Sequence, residues 1–105
     1  MEHGAANALR PVAVVRVPMP RTLTAKAYLA AADAAAGNPT VETFRAAEIA
    51  AFHLANLYHG LAMISPGAYG SGDYRLAVEL NQRYHQYRNA RLSVTVAKEQ
   101  IDEAR

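Results

Sequence analysis

The run Arg83-Tyr84-His85-Gln86-Tyr87-Arg88-Asn89-Ala90-Arg91 holds the side chains of this sequence best suited to recognition chemistry. Arginine and tyrosine combine large contact area with directed hydrogen bonds, and they are enriched where binding energy concentrates. They also hold phosphates and stack on bases. The same residues suit a solvated helix face, where arginine stems cover the core edge and the guanidinium groups reach water. On a helix, Tyr84 and Tyr87 fall on the core side, with Arg83 between them and Leu80. A core-side arginine calls for a carboxylate, and Glu79 and Glu48 are the candidates.

Other reactive side chains are sparse. The histidines are His3, His53, His59 and His85. His53 and His59 are six apart on different sides of one helix, so they do not share a metal ion. No His-x-x-x-His or Glu-x-x-His pair occurs, which excludes the common helical metal motifs. The serines lie in one loop and at Ser93, and no spacing predicts a base or an oxyanion hole. Gly70 and Gly72 bracket one residue before a helix, without the further glycine or lysine of a phosphate-binding loop. The expectation is therefore no catalytic residue, no cofactor and no metal, hence no enzyme.

At 105 residues the chain is long enough for one domain with a thin core. Hydrophobic residues make up 51%, much of it alanine, which favours helix but buries little area per residue. The net charge is only +2, too mild to imply nucleic acid by itself. From Leu80 to Lys98, however, the charged residues are all basic: Arg83, Arg88, Arg91 and Lys98. With no cysteine, disulfides and thiolate chemistry are excluded, in keeping with a cytoplasmic protein. The start Met-Glu-His-Gly lacks the basic and apolar regions of a signal peptide. The most apolar window, Ala46 to Ile64, contains Glu48, His53, Asn56 and His59, and no membrane span is expected.

These residues must be positioned by helices. The expected fold is all-α: a small three-helix bundle over residues 21–105, with two long antiparallel helices and a short Ala-rich one. An extended arm over residues 1–20 precedes it, because Val12 to Val17 is β-branched and flanked by prolines. The first helix starts at Thr22 or Thr24, with large apolar contacts at Leu23, Tyr28 and Leu29, and ends before Gly37. The second, capped by Asn38 or Thr40 with Pro39 in its first turn, reaches Ile64. Its stripe is Ala47, Ala50, Leu54, Leu57, Leu61 and Ile64. A second apolar side, Phe44, Ala51, Phe52, Ala55, Tyr58 and Ala62, makes it the central helix. After the Ser65–Gly72 loop, Ser71 or Asp73 caps a third helix through Arg105. Leu80, Tyr87, Val94 and Ile101 form its inner seam, with a weak point expected between Asn89 and Val96. Its flanking positions Glu79, Gln86, Ser93 and Gln100 lack the charge pairing of a dedicated zipper.

Val15-Arg16-Val17-Pro18, a helix, and then Gly37-Asn38-Pro39-Thr40-Val41-Glu42-Thr43-Phe44-Arg45-Ala46-Ala47 loosely resemble a ribbon–helix–helix DNA-binding dimer over residues 12–52. The resemblance implies a paired N-terminal strand in the major groove. It would present Val12, Val14 and Arg16 to the bases, and valine reads no base edge by hydrogen bonding. The third helix has no counterpart in that minimal fold.

The expected function is a non-enzymatic adaptor or regulator that binds another protein and forms a homodimer or other homo-oligomer. The arm, the loop around Tyr69 and the outer side of the third helix would make the surface. Its partner-binding residues are Val78, His85, Arg88, Arg91, Leu92 and Val96. The alternative is a DNA-binding regulator using Arg16, Arg83, Arg88 and Arg91.

Overall fold

The computed structural model describes residues 12, 22–64, 67 and 72–104. Three helices follow in order: α1 (Leu23–Gly37), α2 (Val41–Met63) and α3 (Gly72–Glu103). No strand occurs among the described residues, and the chain is a small all-α, three-helix bundle, as its periodicity implies. The expected arm falls outside the described residues except for Val12, which packs half-buried against the core. Tyr69 and Ser71 also lie outside them.

The helix starts follow from side chains that satisfy otherwise unpaired backbone N–H groups. Thr22, rather than Thr24, caps α1: its Oγ1 accepts from the Ala25 N–H at 3.0 Å. Thr40 caps α2, and Pro39 therefore precedes the cap instead of entering the first turn. Thr43 completes a reciprocal box there. Its N–H donates to Thr40 Oγ1 at 3.2 Å, and its own Oγ1 accepts from the Thr40 N–H at 2.9 Å. The Thr43 hydroxyl also donates to the Asn38 carbonyl at 2.6 Å, tying the α1–α2 turn to the new helix. Such caps contribute about 1 kcal/mol each. Asp73 sits inside the first turn of α3, where a carboxylate suits the positive end of the helix dipole. In the loop between α2 and α3, Gly67 has φ 68°, a left-handed conformation that glycine adopts without steric cost.

α2 packs against both α1 and α3, and is the central helix that its two apolar sides imply. Its buried residues are Phe44, Ala47, Glu48, Ala51, Leu54, Ala55 and Ala62. Tyr28, Ala32 and Ala35 meet it from α1, and Leu80, Tyr87 and Ala90 from α3. The largest fully buried side chains are Tyr28, Tyr87, Phe44, Leu54 and Leu80. Each contributes roughly 1.5–3 kcal/mol by leaving water. Alanines fill the rest and let the helices approach closely.

Several stripe residues fall short of the core, for reasons of length. α1 has 15 residues and α2 has 23, so α1 cannot cover the last turns of α2. Leu61 is 39% exposed and Ile64 79% in consequence. Leu23, at the very start of α1, is 85% exposed instead of packed. α3 in turn outruns the N-terminus of α2, which leaves Ile101 58% exposed although it continues the seam of Leu80, Tyr87 and Val94. The expected weak point between Asn89 and Val96 is unbroken helix. There the Thr95 hydroxyl donates to the Arg91 carbonyl at 2.9 Å, so it bonds within the helix instead of competing with it.

Candidate protein-binding face

The basic–aromatic run of α3 divides among different sides of the helix. At 100° per residue, Arg83 lies toward α1, Arg91 toward α2, and Arg88 toward the side away from α1. The core-side arginine paired with Glu48 is Arg91, not Arg83. Its Nε donates to Glu48 Oε2 at 2.7 Å and its Nη2 to Oε1 at 3.3 Å. Glu48 meets α3 two turns beyond Arg83, a register that only the packed helices define. Arg83 instead donates from Nη1 to Gln86 Oε1 at 3.3 Å, and its buried Nε makes no hydrogen bond.

Tyr87 is buried close by, and its hydroxyl makes no hydrogen bond. Burial pushes its pKa up to about 12, with Tyr28 and Asp33 adding to the rise and Arg83 opposing it. Tyr58, near the other end of the helix pair, is also raised, by burial first and then by Asp73.

The side of α2 and α3 away from α1 has a different character. Phe52, 44% exposed, packs on Tyr84 with ring centroids 5.4 Å apart, and Tyr84 contacts His85 at 4.9 Å. Phe52 also meets His53 edge-on at 5.8 Å. Toward the loop end, the same two helices enclose an open cleft of about 560 Å³. Ala55 and Ala77 leave it hollow, and Asn56, His59, Val78 and Asn81 are among its walls. Helical periodicity places Ile49, Phe52, Asn56 and Met63 on this side of α2. On α3 it places Val78, His85, Arg88, Leu92 and Val96 there. The apolar members are each two-fifths to one-half exposed, and His85 and Arg88 are also exposed.

Five of the partner-binding candidates, Val78, His85, Arg88, Leu92 and Val96, thus share one side of α3, whereas Arg91 turns inward to Glu48. Arg16 lies outside the described residues. Ile49 and Met63 were not singled out from the sequence. Their spacing from Phe52 and Asn56 carries the signal, but it is recognisable only once α1 is known to cover the opposite side. Among the described residues no group of three or more His, Asp or Glu side chains is placed to hold a metal ion. None of their helices is long and apolar enough to cross a membrane. No protein-family model, curated protein or solved structure matches the chain.

Proposed function

We propose that this chain is a small non-enzymatic adaptor or regulator, acting in the cytoplasm by binding protein through the outer face of α2 and α3. One observation carries the reading. Ile49, Phe52, Val78, Leu92 and Val96, all large and partly exposed, share the side that α1 leaves uncovered. Scattered exposed apolar residues are ordinary, but five on one side, beside aromatic rings and an arginine, have the composition of a binding surface. The open cleft supports the same reading, since it offers a hollow for an apolar side chain from a partner.

DNA recognition has less support. Arg83, Arg88 and Arg91 point to three sides of α3, and Arg91 is held by Glu48. A backbone-tracking site needs its cations on one surface.

The test is capture of binding partners by the wild-type chain beside a variant carrying Val78→Glu, Arg88→Ala and Leu92→Glu. These positions lie outside the core, so the variant should keep its helical signal and lose capture. A folded variant that retains every partner refutes the reading. Salt-sensitive DNA binding lost with Arg88→Ala would transfer support to the nucleic-acid alternative.

A further inference from the structure

Resting on the binding-face reading, we infer that the occupant of this face is a second copy of the chain, docked with its α3 antiparallel about a two-fold axis at His85. The spacing along the outer ridge is self-complementary. Val78 and Leu92 stand seven residues on either side of His85, and Tyr74 and Val96 stand eleven on either side. A two-fold rotation through His85 therefore sets Val78 against Leu92 of the other copy, and Tyr74 against Val96, each contact occurring twice. The exposed side chains at issue are Val78 at 41%, Leu92 at 43% and Val96 at 50%. The cleft beside Val78, floored by Ala55 and Ala77, receives the Leu92 side chain of the other copy.

Charge selects the direction. Glu99, Asp102 and Glu103 cluster at the C-terminal end of α3, and parallel pairing would bring two such clusters together. Antiparallel pairing separates the two clusters and sets each just beyond the N-terminal end of the other α3, where the helix dipole is positive and Arg75 offsets the charge of Asp73. Arg88 then faces Asn81, whose amide oxygen accepts from a guanidinium, instead of a like charge.

The face is also large enough. Tyr74 to Val96 spans roughly 33 Å at 1.5 Å per residue. Two helices about 10 Å apart make it roughly 20 Å wide. Complete coverage of that area would bury about 660 Å² per copy and about 1,300 Å² in total, at the lower end of the range of stable specific interfaces.

The chain has no cysteine, so introduced thiols report the geometry directly. The full chain should have twice its monomer mass by light scattering at high micromolar concentration, and Leu92→Glu should return it to monomer mass. His85→Cys alone should link to itself with a short bismaleimide. Val78→Cys and Leu92→Cys should each link poorly alone and efficiently when mixed. Efficient self-linking by Val78→Cys would overturn the antiparallel arrangement. A wild-type chain of monomer mass would overturn self-docking altogether. If that monomer still captured another protein, and lost it with Leu92→Glu, the binding-face reading would stand without the dimer. If capture survived the substitution, that reading would fall as well.

Discussion

Glu48 on α2 and Arg91 on α3, forty-three residues apart in the chain, are joined by two parallel hydrogen bonds of 2.7 and 3.3 Å. The pair fixes the register of the two long helices, because a shift of one turn would part the groups by about 5 Å. The two partners are unequal. Glu48 is the buried member, whereas the guanidinium of Arg91 sits on a stem long enough to reach water. Arg91→Ala leaves a buried carboxylate without its counter-charge, and Glu48→Ala leaves an arginine free to turn outward. Thermal unfolding should therefore show a larger loss of Tm for Arg91→Ala than for Glu48→Ala. Arg91→Lys, which cannot form both bonds, should fall between wild type and Arg91→Ala. The reverse order would mean that the pair is not what holds the register.

Tyr87 makes a separate prediction. Its hydroxyl is buried without a partner, a cost that Tyr87→Phe removes while keeping the ring. The variant should gain roughly 1 kcal/mol at neutral pH, measured by denaturant unfolding.

The same residue sets an alkaline limit. The pKa of Tyr87 rises from 10.0 to about 12 on folding, so the unfolded chain loses this proton first as pH climbs. Between these values the unfolded state binds fewer protons and stability falls with pH, by up to about 2–3 kcal/mol from this group. Below pH 10 both states hold the proton and the effect vanishes. Tyr87→Phe should flatten the decline in that window; an unchanged slope would show that other groups cause it.

Gly60 lies inside α2, and a methyl group there would meet nothing within 4 Å. Gly60→Ala should stabilise the fold by roughly 0.5–1 kcal/mol, because alanine loses less backbone entropy on entering a helix. A loss of stability on urea unfolding would show that this position tolerates no added atom.

The C-terminal end of α3 projects past α2. Deleting residues 99–105 should change stability by no more than about 0.5 kcal/mol, since Ile101 and its neighbours are exposed. Leu80→Ala, one seam position in the core, should cost about 2–5 kcal/mol. Equal effects of the two changes would mean that the end of α3 is covered in solution.

The sequence alone determined the three helices, because their signals are local. Thr22 and Thr40 cap, Gly67 turns, and apolar residues three and four apart mark the face of α2 that becomes buried. It also showed that α2 is central, since a helix apolar on two sides needs two neighbours. The outer positions of Val78, His85, Leu92 and Val96 were readable for the same reason. Only the tertiary structure decided which arginine meets Glu48, since pairing across two helices depends on their relative register and not on spacing within either. Relative helix length, likewise a property of the assembled bundle, left Leu61, Ile64 and Ile101 outside the core. Packing also joined Ile49 and Phe52 to the α3 ridge, because α1 covers the opposite side of α2 and leaves this one open.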